Sequence, residues 1–259
     1  MVKVRIENDN GISVITIERP QVRNAVDRET AEQLANAFRT FERDPGLDVA
    51  VLLGAGNTFC SGADLAVVAN ESSIEGHRLD PDFHRDGPMG PTRMLPSKPV
   101  IAAISGYAVA GGLELALWCD LRIMEEDAIL GVFSRRFGVP LIDGGTQRLP
   151  RIIGLGRALD LILTGRPVRA EEAYAMGLVN RVVGHGHALD TAIDLANQLK
   201  SFPQAGLRSD RAAVYAGIET SLEDGMIQEF SRGMQVLREG ESQEGAQQFV
   251  NGIGRHGKF

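Results

Sequence analysis

The chain has 259 residues, 43% hydrophobic and 24% charged, enough to bury a sizeable core in one large α/β domain or two unequal ones. Its formal net charge of -7, with no lysine or arginine stripe, excludes general nucleic-acid binding, though not a local basic pocket for a phosphorylated ligand. No apolar run approaches the roughly 20 residues of a membrane span and the start of the chain lacks a signal-peptide core, so a cytoplasmic protein without membrane attachment is expected.

Cys60 and Cys119 fit a reducing compartment and read as small buried hydrophobes. His185 and His187 form the one close histidine pair, in a Gly/His turn without a cysteine or carboxylate partner at metal spacing, so no metal site is expected.

Along the chain, Val2, Val4 and Ile6 alternate, Asp9, Asn10 and Gly11 supply a turn, and Ile12 to Ile17 follow, which predicts an opening β-hairpin. Arg19 and Pro20 end it. Asp27 is placed to cap a helix with Leu34, Phe38 and Phe41 on one face, stopped by Asp44, Pro45 and Gly46. Val49 to Leu53 is an unalternated apolar run, the pattern of a strand covered on both faces.

The segment GAGNTFCSGAD (54–64) carries two glycines of a nucleotide loop, but Phe59 occupies the third glycine's place and no clear helix opens there. It reads as a loop shaped for another ligand. From Leu65 to Pro99 the chain is polar and rich in Pro, Gly, His and Asp, and an irregular stretch of that length reads as a lid or mobile binding loop.

Val100 to Ile104 is the next buried strand. It runs into a glycine turn and then a helix to Trp118 that is apolar all round except for Glu114. A carboxylate in such surroundings is costly unless something pairs or uses it. Leu121 to Met124 and Ala128 to Val132 are two more short strands, followed by Phe133 to Phe137 and a glycine-punctuated turn, Gly138 to Thr146, that contains Asp143. Helices are predicted at 157–164, 170–176 and about 187–200, with amphipathic stretches from Gln204, Ser221 and Ser242. Strands dominate the first half and helices the second. The expected class is α/β, with residues 1–200 as core and 201–259 as a helical region packing on the core or on a neighbouring subunit.

The glycine turns at 62–64 and 111–112 each follow a strand, and the second opens a helix. Backbone N–H groups in such turns suit an anion or a developing oxyanion, while glycines kept for packing explain either turn as well.

Taken together, FCSGADL (59–65), KPVIAAISGYAVAGGLELA (98–116), Cys119 with Asp120, GGTQRL (144–149), LTG (163–165), AEEA (170–173) and GLV (177–179) resemble the enoyl-CoA hydratase/isomerase, or crotonase, superfamily. The match runs over nearly the whole chain. It implies a crotonase-like β-β-α spiral core with a helical C-terminal trimerisation region, assembled as a homotrimer or as a hexamer made of two trimers. It also implies an acyl-CoA thioester substrate, with coenzyme A part of the substrate and no separate cofactor.

By the same resemblance, the backbone N–H groups of Ala63 and Gly111 form an oxyanion hole and Glu114 is the first catalytic glutamate. The second glutamate's position falls on Ser134, whose hydroxyl cannot replace a carboxylate as general acid. Asp143 resembles, with a one-residue shift, an aspartate of dienoyl-CoA isomerases, and is the candidate second carboxylate; as a turn residue it would instead cap the following helix. Coenzyme A is expected on Arg23, Ala25, Asp64 and Leu65, with Arg23 directed to a phosphate unless it is a solvated loop charge. Arg255 and Lys258 fall where such enzymes contribute a basic residue. The implied reaction is hydration of a trans-2-enoyl-CoA; the alternatives are double-bond isomerisation, which one carboxylate can perform, and non-catalytic acyl-CoA binding.

Overall fold

In the computed structural model, which describes residues 2–70 and 79–254, the opening hairpin forms because Asn10 and Gly11 both take positive φ, 44° and 77°. That turn joins β1 (Val4–Asp9) to β2 (Ile12–Ile17) in antiparallel register. β2 then pairs in parallel with β3 (Val49–Gly54), and β4 (Val100–Ile104), β6 (Leu121–Glu125) and β9 (Arg181–Val183) extend the sheet in the order β1-β2-β3-β4-β6-β9. β3 and β4 are almost wholly buried, as their unalternated apolar sequences predict. A second sheet orders β5 (Tyr107–Val109), β7 (Ile129–Gly131) and β8 (Val168–Arg169).

Helix α1 (Arg28–Arg43) starts where Asp27 accepts the Thr30 N–H at 2.9 Å, and it buries Leu34, Phe38 and Phe41 against the sheet. Its far end is closed by Lys98, whose ammonium donates to the carbonyls of Phe41 (2.9 Å) and Asp44 (2.6 Å). Phe38 meets Trp118 of α3 (Gly111–Trp118) edge-on, with centroids 4.7 Å apart. All of α3 beyond Gly111 is buried, and Glu114 is its one charged residue. Cys60 and Cys119 are free and buried.

Three features depart from the sequence reading. β5, β8 and β9 are two or three residues long, too short to leave a periodic signature, and their partners lie far away in sequence. The turn through Gly144 and Gly145 opens a further helix, α4 (Gly145–Ile153), despite Pro150; Leu149 and Ile153, four residues apart, bury one face of it. The stretch from Leu65 also begins as a helix, α2 (Leu65–Asn70), where Ala66 N–H donates to Asp64 at 3.1 Å. Within that stretch Met89 and Thr92 are buried, so 87–94 is a wall of the core rather than a lid.

Helices α5 (Leu155–Thr164), α6 (Ala170–Ala175) and α7 (Ala188–Lys200) follow. The chain divides into two compact units, Met1–Asn197 and Gln198–Phe259. The second unit contains α8 (Gln204–Gly217), α9 (Leu222–Glu239) and α10 (Glu241–Val250). The Glu241 carboxylate accepts the N–H groups of Ala205 (3.0 Å) and Gly206 (2.8 Å), capping α8 from the start of α10, while Ser221 caps α9. Among the described residues no helix is long and apolar enough to cross a membrane.

Candidate active site

Glu114 stands in the first turn of α3 with its side chain buried. Its Oε1 accepts the backbone N–H groups of Asp143 (2.9 Å) and Gly145 (2.8 Å), the second being the first residue of α4. A helix N-terminus and two N–H donors favour the ionised form. Burial works against it and, together with the nearby charge of Asp143, prevails: the Glu114 carboxyl is pushed up from its ordinary 4.5 to about 7.

Asp143 is buried beside it. Its Oδ1 accepts the Met89 N–H at 2.9 Å and the Thr92 hydroxyl, and Arg148 ties the two segments together by donating to the carbonyls of Asp143 and Thr92, both at 2.7 Å. Burial raises the Asp143 carboxyl above its usual range, opposed by those hydrogen bonds and by Arg93 and Arg148. Each carboxylate is thus held by one oxygen. The other oxygen, Oε2 of Glu114 and Oδ2 of Asp143, makes no hydrogen bond among the described residues.

The two glycine turns meet next to this pair. A Cβ on Gly62 would lie 2.9 Å from both Gly111 N and the Ala110 Cβ, and one on Gly112 would lie 2.1 Å from the Cys60 carbonyl oxygen, so only glycine permits this approach. Around Ala63 the backbone ladder uses its neighbours: Val26 N–H donates to Gly62 O (2.8 Å) and Asp64 N–H to Val26 O (2.9 Å). The Ala63 N–H therefore points away from Val26. It has no acceptor among the described residues, nor has the Gly111 N–H at the start of α3. Ala110, which caps α3, holds φ 54° and ψ -127°, a conformation that costs a non-glycine residue about 1–3 kcal/mol.

A cavity of about 390 Å³ opens onto these groups. Ala63, Gly111, Glu114 and Asp143 line it, with Leu65 at the head of α2, and most of the remaining wall is apolar, including Met89, Phe133 and Ile142. Ser134 also lines it, and its buried hydroxyl makes no hydrogen bond among the described residues. The other sequence candidates lie in the adjoining loop rather than in this wall. Arg23 sits over the Tyr107 ring at 5.9 Å, the Ala25 carbonyl accepts from Arg19, and Asp64 pairs with Arg19 at 3.0 Å. Arg255 and Lys258 fall outside the described residues. Met89, Thr92 and Arg148, which hold Asp143, and the strained Ala110 were not foreseen, since no periodicity or charge pattern marks them.

The arrangement supports proton transfer beside a carbonyl whose oxygen becomes negative: two N–H donors without acceptors among the described residues, and two carboxyl groups with raised proton affinity in a largely apolar cavity. A model of the enoyl-CoA hydratase/isomerase family matches residues 7–254. The chain is 34% identical over 226 residues to crotonyl-CoA hydratase of Syntrophomonas wolfei, covering 85% of this chain and 84% of that one. It is 36% identical over 225 residues to (E)-benzylidenesuccinyl-CoA hydratase of Thauera aromatica, covering 86% of each. The solved structure of enoyl-CoA hydratase from Mycobacterium tuberculosis superimposes with a TM-score of 0.89 at 34% identity, over 96% of each chain. The fold is that of the crotonase enzymes, and the chain belongs to the enoyl-CoA hydratase/isomerase family.

Proposed function

We propose that the chain is an enoyl-CoA hydratase that adds water to a trans-2-enoyl-CoA and yields the 3-hydroxyacyl-CoA. The observation that carries this reading is the meeting of Glu114 and Asp143, each with one uncommitted oxygen, and the Ala63 and Gly111 N–H groups on one apolar cavity. The thioester oxygen accepts from the two N–H groups, each worth about 2.7–4 kcal/mol to the developing enolate by analogy with other oxyanion holes. Water attacks Cβ and gives a proton to the ionised carboxylate, while the protonated partner delivers one to Cα; the hydroxyl and the hydrogen together make up the water added. We assign the donor role in this direction to Glu114, whose carboxyl burial and then the Asp143 charge push up to about 7.

Hydratase names among the relatives support the reading. Water and protons suffice for it, so it requires no cofactor. Coenzyme A is assigned to the loop of Arg23 and Ala25 and to Asp64 and Leu65, with Arg23 toward a phosphate. Exposed Leu222, Met226, Ile227 and Phe230 on α9 support self-association, which we assign as a homotrimer or a hexamer, and the two free thiols suit the cytoplasm. The test is loss of enoyl absorbance with crotonyl-CoA and with a longer enoyl-CoA; no loss with either, where a control hydratase works, removes the assignment.

Ser134 favours a second reading. A hydroxyl stands where the family resemblance expects another glutamate, and moving a double bond needs only one carboxylate to carry the proton. Product analysis from a 3-enoyl-CoA and a dienoyl-CoA separates the two: a shifted double bond without hydration would replace the leading reading.

A further inference from the structure

At the end of the large sheet, 58 residues apart in sequence, Asp127 and His185 are hydrogen-bonded, with Nδ1 to Oδ2 at 2.9 Å. The Glu125 carboxylate joins them, its Oε2 3.6 Å from the same Nδ1, and the three ligand atoms all lie within 4.8 Å of one another. The backbone builds this cluster: Glu125 pairs with Val183 in the β6–β9 register, Glu126 N–H donates to Val183 O at 2.8 Å, and Ala128 N–H donates to Glu125 O at 3.0 Å. The Glu125 side chain is only 6% exposed, and no group outside the cluster reaches it among the described residues. Its one counter-charge within reach is a protonated His185, 3.6 Å away; beside a neutral imidazole the buried carboxylate has none among the described residues.

We propose that Glu125, Asp127 and His185 form a binding site for a divalent transition-metal ion of the zinc type, unrelated to the acyl-CoA cavity. Ligand atoms on a tetrahedral ion at Zn–N and Zn–O distances of about 2.0–2.1 Å sit roughly 3.3 Å apart. The two separations from His185 Nδ1, 2.9 and 3.6 Å, bracket that value, and the Glu125 and Asp127 oxygens lie within 4.8 Å of each other. One imidazole and two carboxylates suit zinc, cobalt or nickel better than calcium or magnesium, which take oxygen alone. Asp127 and His185 are more than half exposed, which leaves an entry path and room for water as a fourth ligand. The ion takes the Nδ1 lone pair, so the ring carries its proton on Nε2. Bound there, it clips the β6–β7 turn to the end of β9.

The experiment is calorimetric titration of the tag-free chain with Zn²⁺, with thermal unfolding and the visible absorption of added Co²⁺ as independent readouts. The expected result is saturable binding of one equivalent, a raised Tm, and at least tenfold weaker binding in Glu125→Gln and in His185→Ala, with His187→Ala unchanged. Absence of saturable binding to the native chain overturns the proposal, as does binding that His185→Ala leaves intact. His185 is exposed, so that variant remains decisive if Glu125→Gln fails to fold.

Discussion

Glu114 holds its proton to about pH 7 because burial outweighs two N–H donors and a helix N-terminus. A pKa raised on folding means the folded state binds that proton more tightly than the unfolded chain. The stability it contributes is therefore full below about pH 4.5 and is lost as pH rises through about 7. Glu114→Gln, which keeps an oxygen for the same N–H donors, should exceed the native chain in stability at pH 8 by on the order of 3 kcal/mol. In urea unfolding that advantage should vanish at pH 4, and equal stability at pH 8 would refute the buried charge. The same variant should lose turnover by about 100-fold or more while keeping coenzyme A affinity. Asp143→Asn removes the neighbouring negative charge, so the Glu114 pKa should drop toward its ordinary value, as read by ¹³C titration of the Glu114 carboxyl, and kcat should decline by about 10²–10⁴.

At the scale of elements, the site is a contact between the loop after β3 and the turn into α3. Gly62 has φ 98° and its missing Cβ faces Gly111 N, so Gly62→Ala both strains the backbone and pushes the two N–H donors apart. The expected outcome is a drop in kcat of about 100-fold or more, with KM changed only a few-fold, because the donors act mainly on the charge that develops in the reaction. A loss confined to KM would show that the turns serve binding alone. The helix starts of α3 and α4 divide the work. Among the described residues the first leaves Gly111 N–H without an acceptor, while the second spends Gly145 N–H on Glu114.

For the molecule as a whole, the C-terminal unit exposes large apolar side chains along α9, with Phe230 72% accessible. If the chain assembles as proposed, Phe230→Glu places a charge in that surface and should shift the particle mass in light scattering from the proposed oligomer toward the monomer, with the fold retained. A native chain that already runs as a monomer would remove the homotrimer and hexamer assignments. What the amino-acid order determined by itself was the opening hairpin, α1, the buried strands β3 and β4, and the isolated carboxylate in an apolar helix, because those signals are local: a turn pair, a cap, a period, a charge among hydrophobes. It also carried the family motifs, through their order. Only the tertiary structure decided that Asp143 lies beside Glu114, held by Met89 and Thr92 from a stretch that reads as a loose loop, and that His185 meets Glu125 and Asp127. Contacts between residues 50 or more apart depend on how loops of no period pack onto strand ends. That packing is set by the sheet register and by glycines that allow close approach, and neither has a one-dimensional signature.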